Sequence, residues 1–265
     1  VDEYNQGLNK RKAIYIPYAQ AIPFKYAIDR DRCIYFKKRG RCKACEKHCP
    51  ADAINFEDQE EEVALNTGAV ILSTGANAFD AAGLDAHYHY RGHPDIMTSL
   101  EFERILSASG PTKGKLLRPS DSAPPRRIAW LQCIGSRDTA RCGNGYCSSV
   151  CCMYALKEAM IAKEHAHGDL ECTIFYMDIR TVSKDYEKYY LRAKNSAGVR
   201  FVKSRIHAID ATEPGSDIII RYAPESGGIS EEPFDLVVLS VGLAAPASAR
   251  HLAGQFRIDL TPHNF

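Results

Sequence analysis

Nine of the ten cysteines of this 265-residue chain fall into two clusters, and both spacings suit metal chemistry. The first is Cys33, Cys42, Cys45 and Cys49, followed by Pro50, in the pattern C-x8-C-x2-C-x3-C-P. Thiolates two and three residues apart can wrap one face of an iron–sulfur cubane, and a proline after the last cysteine turns the chain away. In two-cluster ferredoxins the cysteine before the proline serves the other cluster. Here no second half-motif lies nearby, so Cys33 is expected to complete one [4Fe–4S] site with Cys42, Cys45 and Cys49. Zinc is the alternative for a four-cysteine set. The C-x3-C-P tail is unusual for a zinc ribbon and favours iron–sulfur.

The second cluster is Cys133, Cys142, Cys147, Cys151 and Cys152. It falls between a predicted strand, Ile128–Gln132, and a predicted helix, Val150–His165. A dinucleotide-binding domain carries G-x-G-x-x-G at that place. The glycine fingerprint is absent and a thiolate-rich loop stands instead. The helix N-terminus would offer its positive potential to an anionic cluster rather than to a pyrophosphate. Five cysteines compete for four places. Cys147, Cys151 and Cys152 sit together at the helix start, Cys133 ends the strand, and Cys142 lies in a glycine-rich tip and is the expected non-ligand. A redox disulfide is the competing reading, made less natural by adjacent Cys151 and Cys152. Cys172 stands alone in a predicted strand and reads as a small buried hydrophobe.

The elements that must position these groups follow from periodicity and punctuation. Short strands are predicted at Ala13–Ile16 and Thr67–Gly75, and a helix over Ser99–Ser107 with Ser99 as its cap. Ala51–Phe56 reads as the short helix and return strand of a ferredoxin half. The linker GPTKGKLLRPSDSAPPRR marks a boundary. Beyond it, strand and helix alternate: Ile128–Gln132, Val150–His165, Cys172–Met177, Lys184–Ala197 ended by Gly198, Val199–Val202 and Phe234–Val241. Ile218–Tyr222 is expected to form a hairpin with Ile206–Ile209. This alternation implies an α/β, doubly wound sheet. The expected organisation is 1–22 as part of a flavoprotein body, 23–62 as an inserted iron–sulfur module, and 63–125 as the remainder of an FAD-type domain with its linker. Residues 126–242 form a second dinucleotide-type domain and 243–265 a return segment. Two apolar runs end alike, in Ser73-Thr74-Gly75 and in Ser240-Val241-Gly242. In two-dinucleotide flavoproteins such ends cross close to the cofactor, and the glycine permits that approach, so the two together point to a flavin.

These residues carry a family likeness. CIGSRD, YCSSVCCMYALKEAMIAKEH, FYMDIRT and FDLVVLSVGL resemble the A-type subunit of heterodisulfide reductases, as do CIYFKKRGRCKACEKHCPADAINF and TSLEFERILSASGPT. The resemblance implies a thioredoxin-reductase-like FAD-binding body with an inserted ferredoxin-like α+β module. It implies flavin-based electron bifurcation, in which a two-electron donor reduces ferredoxin and a disulfide together. It implies FAD contacts near Thr74, Gly75 and Gly242, and it assigns the second cluster to Cys133, Cys147, Cys151 and Cys152. It suggests that Lys157 approaches the reactive edge of the flavin as a catalytic and FAD-binding cation; a solvated helix lysine is the plainer alternative. The implied partners, in an oligomeric complex, are other heterodisulfide reductase subunits, ferredoxin, and an electron-input hydrogenase or formate dehydrogenase. The FAD phosphate loop of the family is missing, so the chain reads as a central piece of a longer polypeptide.

Composition adds exclusions. A net charge of +1 with no basic stripe gives no case for nucleic acid. No run approaches the ~18 apolar residues of a membrane span. Clustered cysteines in a chain with an α/β pattern point to a reducing compartment, and a cytoplasmic location is expected. Two further readings remain: an electron-relay module with clusters but no active site of its own, and a pyridine-nucleotide-dependent disulfide reductase, which the absent glycine fingerprint disfavours. His87, Tyr88, His89, Tyr90 and His93 form a polar aromatic group read as loop packing rather than a metal site.

Overall fold

The computed structural model describes residues 1–166, 169–211 and 213–265. They form two compact units, Val1–Ser73 and Thr74–Phe265. The first unit contains a short antiparallel pair, β1 (Ile14–Tyr15) and β2 (Ala27–Ile28), and two single-turn helices, α1 (Ile34–Lys37) and α2 (Ala44–Lys47). Its apolar centre is aromatic. Tyr35 stacks on Phe56 at 3.9 Å and meets Phe36 edge-on at 5.2 Å. This clasp closes the loop that carries Cys42, Cys45 and Cys49. Ala51–Phe56 forms neither the expected helix nor the return strand; Phe56 is held by the stacked ring rather than by strand pairing. The expected strand Thr67–Gly75 is also not formed. Val70, Ile71 and Leu72 are exposed there, and no strand among the described residues pairs with the segment, so its backbone has no ladder to join.

The second unit is α/β. Its elements are β3 (Asn77–Ala78), α3 (Asp85–Tyr88), β4 (Ile96–Thr98), α4 (Ser99–Leu106), β5 (Arg127–Ile134), α5 (Cys151–His165) and β6 (Glu171–Tyr176). There follow α6 (Tyr186–Asn195), β7 (Arg200–Lys203), β8 (Ile218–Tyr222), β9 (Ser230–Phe234), β10 (Leu236–Val241), β11 (Leu243–Ala244) and α7 (Ser248–Phe256). Five strands build one parallel sheet in the order β4-β10-β5-β6-β7. The inner strands read as continuous apolar runs because both faces are covered. Every residue of β10 is buried, as is all of β5 after Arg127.

The two faces are covered differently. Trp130 of β5 packs edge-on against Phe102 of α4 at 5.5 Å, and α5 lies beside α4 and α6 on that side. On the opposite face, Ala129, Leu131, Phe175, Val237 and Leu239 meet Ile218, Ile220, Tyr222 and Phe234 of an antiparallel ribbon, together with Leu84 and Tyr88. Burying each such large side chain contributes about 1.5–3 kcal/mol.

Several local expectations shift. β8 pairs over its whole length with β9, from Ile218↔Phe234 to Tyr222↔Ser230, across a turn through Gly227 and Gly228. The segment Ile206–Ile209 forms no strand, and the nearest contact of that kind is the single bridge Asp210↔Ile219. Phe234–Val241 is two strands rather than one. Asp235 divides them, its carboxylate accepting the Arg126 and Arg127 N–H groups at 2.6 and 2.8 Å. The cap of α4 is Thr98, one residue earlier than expected. Thr98 and Glu101 form a reciprocal capping box that satisfies two otherwise orphaned N–H groups.

Candidate metal centre

The sheet order reverses at β5. From β5 the chain runs outward through β6 and β7, then returns to the other side of β5 as β10. The loops leaving β5 and β10 therefore part, and the crevice beyond their carboxyl ends is where open α/β sheets bind ligands. The second cysteine cluster lies there. Cys133, Cys147, Cys151 and Cys152 line one small pocket that opens to solvent. Ser136, Arg137, Ser148, Ser149, Asp178 and Arg180 complete the lining.

Each cysteine arrives by a different local device. Between Leu239↔Leu131 and Val241↔Ile134 the register slips, so β5 holds one residue more than β10. Cys133 sits in that bulge at φ +64, a left-handed conformation that a non-glycine residue adopts only when its surroundings impose it. Two residues on, Gly135 has φ +74 and the Phe79 ring would lie 2.1 Å from any Cβ there. Asp138 and Asn144 then pair backbone to backbone, and the Asn144 side chain donates to the Gly135 carbonyl at 2.9 Å. This closes residues 139–143 into a separate tip. Cys142 is carried in that tip, packs on the apolar core, and does not line the pocket. Cys147 follows the tip, its sulfur accepting the Ser149 N–H at 3.4 Å. Cys151 and Cys152 open α5, whose first turn has no side-chain cap. Its N–H groups are available to negative charge beside them.

Burial pushes the Cys151 thiol up to about 12, with a hydrogen bond from Tyr154 opposing the shift. Burial also raises Cys133 and Cys152. Neutral thiols are thus favoured until a cation is bound, and metal binding must expel their protons. The charged wall of the pocket is two guanidinium groups and one carboxylate. Asp178, at the end of β6, pairs with Arg137 and, at 3.3 Å, with Arg180. Burial tends to raise the Asp178 carboxyl, but the two arginines hold it below the usual carboxylate range. Four thiol donors converging from three elements beneath a net positive wall suit an anionic thiolate-bound cluster. Arg137, Asp178 and Arg180 were not singled out by sequence reasoning. The signal was their place at strand ends, in IGSRD and FYMDIRT.

The first cysteine set is less assembled. Cys33 is buried at the N-terminus of α1, while Cys42, Cys45 and Cys49 are partly exposed around α2. The Cys49 sulfur accepts the Ala53 N–H at 3.4 Å, the type of contact a cluster thiolate uses. Among the described residues, no three His, Cys, Asp or Glu side chains stand close enough together to hold a metal ion as they are.

The expected flavin contacts lie on several elements of the second unit. Thr74 and Gly75 are exposed outside regular structure, and Lys157 is exposed on α5. Gly242 is buried, with its Cα face filled by Ser136 Oγ and Ser148 Oγ, which would lie 2.1 and 2.7 Å from a Cβ. None of the four is among the residues that line the cysteine pocket, although Ser136 and Ser148, which pack on Gly242, are. The segments that follow the two glycines do meet: β3 and β11 pair antiparallel, Ala78↔Leu243 and Asn77↔Ala244. The aromatic–histidine group is structural. Tyr88 donates to the Ile206 carbonyl at 3.0 Å, and the His93 ring lies 3.0 Å from the Glu213 carbonyl while accepting the Asp95 N–H.

No protein-family model matches the chain. Curated relatives match it over nearly its whole length. The A-type iron–sulfur subunit of the CoB–CoM heterodisulfide reductase of Methanocaldococcus jannaschii is 42% identical over 265 residues, all of this chain and 39% of that protein. The A-type subunit of the H2/formate:CoB–CoM heterodisulfide,ferredoxin reductase of Methanococcus maripaludis is 41% identical over 265 residues, all of this chain and 39% of its own. The A-type subunit of the H2:CoB–CoM heterodisulfide,ferredoxin reductase of Methanothermobacter marburgensis is 38% identical over 250 residues, 94% of this chain and 36% of its own. The chain thus spans under two fifths of these relatives' length. Among solved structures, Lactococcus lactis thioredoxin reductase aligns over 46% of the chain and 33% of its own at 16% identity, with a TM-score of 0.31. At that score the fold rests on the sheet topology instead.

Proposed function

We propose, for a chain homologous over its whole length to a segment of the A-type subunit of heterodisulfide reductase, that it is the cluster-bearing part of an iron–sulfur oxidoreductase. The observation that carries this is the convergence of Cys133, Cys147, Cys151 and Cys152 on one pocket at the switch point of the sheet. These four are proposed to hold one [4Fe–4S] cluster, and Cys33, Cys42, Cys45 and Cys49 a second. When bound, such clusters supply one-electron transfer, and FAD the exchange between one- and two-electron chemistry. The chain's own residues orient the sulfurs through the Cys133 bulge and the start of α5. Arg137 and Arg180 place positive charge where electrons would arrive, and the buried strands β5 and β10 exclude water from beneath.

Two of the three relatives' names join heterodisulfide and ferredoxin with H2 or with H2/formate. By that likeness the whole protein is proposed to pass electrons between a two-electron donor, ferredoxin and a disulfide by FAD-based bifurcation. Its partners would be the other reductase subunits, ferredoxin, and a hydrogenase or formate dehydrogenase. FAD is proposed for the protein on the same likeness, with Thr74, Gly75, Lys157 and Gly242 as its contacts, and the domain organisation expected from the sequence is proposed with it. No helix of the described residues is long and apolar enough to cross a membrane. Thiolate-held clusters need a reducing compartment, which supports the cytoplasm.

A second reading has its own support. Its support is that the cysteine pocket is lined by thiols, serines, arginines and one carboxylate, with none of Thr74, Gly75, Lys157 and Gly242 among them, as suits a relay module that holds clusters without an active site. Anaerobic purification with iron, sulfide, zinc and flavin quantitation separates the two. About eight iron and eight sulfide per chain with bound flavin supports the oxidoreductase reading. The same clusters without flavin support the relay. Zinc without iron overturns both.

A further inference from the structure

Two donors compete for one carbonyl at the floor of the cysteine pocket. The Cys151 thiol reaches the Val241 carbonyl oxygen at 3.5 Å. The Tyr154 hydroxyl, one turn further along α5, donates to the same oxygen. Sharing that acceptor brings the Tyr154 hydroxyl beside the Cys151 sulfur, close enough to oppose the rise that burial gives the thiol. Val241 is the last residue of β10, fully inside the sheet, so its carbonyl has no access to bulk water. The hydroxyl, the sulfur and the carbonyl thus form a closed triangle behind the pocket lining, joining α5 to the end of β10.

A cysteine that ligates iron carries no S–H. It cannot donate to Val241, and its sulfur becomes an acceptor with more negative charge. Tyr154 is then the donor left in the triangle for both acceptors. We propose that Tyr154 is a positioning residue that donates its O–H to the ligated Cys151 sulfur and raises the reduction potential of the cluster at that site; this rests on the assignment of that cluster to Cys133, Cys147, Cys151 and Cys152. The physical cause is direct. Reduction adds one electron and breaks no bond, the proton stays on Tyr154, and the added negative charge on the sulfur strengthens the hydrogen bond it accepts. The reduced state gains more than the oxidised state, so the potential rises. The Val241 carbonyl holds the phenol ring in reach during assembly.

The experiment uses the whole protein purified anaerobically with its partners, comparing wild type with Tyr154→Phe. Redox titration followed by EPR should show the potential of this cluster lowered in the variant at unchanged iron and sulfide. In D2O, an exchangeable deuteron coupled to the reduced cluster in the wild type should be missing from the variant's ENDOR spectrum. An unchanged potential and an unchanged deuteron coupling at full iron content overturn the proposal. If Tyr154→Phe loses iron, difluorotyrosine at position 154, with its more acidic O–H, decides the matter. The potential should then rise, and no rise overturns the proposal. Absence of any cluster requiring Cys151 in the wild type is a different failure, that of the site assignment itself.

Discussion

Trp130 donates its indole N–H to the Glu158 carboxyl at 2.9 Å, with the two residues 0% and 4% exposed. The tryptophan comes from the middle of β5 and the glutamate from the middle of α5. They pin together the strand that ends at Cys133 and the helix that begins at Cys151. Burial pushes the Glu158 carboxyl well above its usual range. The indole N–H pulls the other way, and Glu103 adds to the rise. Burial therefore favours the neutral form of the side chain in the folded protein.

An acid whose folded pKa is raised binds its proton more tightly folded than unfolded. Its contribution to stability is complete below the unfolded value, near 4.5, and is lost as pH rises through the folded pKa. Glu158→Gln keeps an acceptor for Trp130 and cannot ionise. Its stability advantage over wild type should grow between pH 5 and pH 8, by up to about 1.4 kcal/mol per pH unit until the folded pKa is reached. Denaturant midpoints of the two proteins across that range check this, and parallel curves would falsify a neutral Glu158. Glu158→Leu should cost about 1–3 kcal/mol by leaving the indole N–H unmatched.

The closed tip at residues 139–143 separates Cys142 from the other four cysteines of its cluster. Cys142→Ser should keep the full complement of iron. Cys147→Ser should lose about four iron atoms per chain. Iron analysis of the two variants, prepared side by side, distinguishes them; equal losses would reassign the ligand set.

Arg137 stands in the pocket wall and shares Asp178 with Arg180. Arg137→Gln removes a positive charge from beside the proposed cluster. The potential should fall by tens of millivolts, where about 59 mV is a tenfold change for one electron. Because the group is partly exposed, the fall should shrink at high salt. A potential insensitive to both the substitution and salt would place the cluster elsewhere.

At Gly135 a methyl group would strain a φ of +74 and meet the rigid Phe79 ring. Gly135→Ala should destabilise the protein by on the order of 1–3 kcal/mol and loosen Cys133, two residues away. The expected signs are a lowered denaturant midpoint and faster loss of iron to a chelator. Phe79→Ala in the same background should restore part of the iron retention by opening the space.

Much of this was legible from local pattern. β5 and α5 follow the predicted Ile128–Gln132 and Val150–His165 within two residues, because apolar runs and helical spacing are local properties. The position of a thiolate loop between them needed only the order of the chain. Gly198, at φ +64, ends α6 as a glycine should. Local pattern failed where pairing is decided at a distance. Thr67–Gly75 has the residues of a strand but no neighbour among the described residues, and a strand without a neighbour leaves its backbone groups unpaired. β8 pairs with β9 rather than with the expected Ile206–Ile209, because a turn through two glycines presents β9 in register.

The order of residues along the chain sets the chemistry available: nine clustered cysteines, a parallel sheet to carry one group of them, and no glycine loop for a pyrophosphate. Which four of five thiols share a pocket is a matter of folding in three dimensions. The Cys133 bulge depends on the register of β5 against β10, strands about a hundred residues apart in the chain. The arginine wall depends on β6 ending beside that bulge. Tyr154 meets Cys151 over a carbonyl that arrives from Val241. Spacing along the chain names donors, but their convergence is set by non-local pairing, which a one-dimensional pattern does not encode.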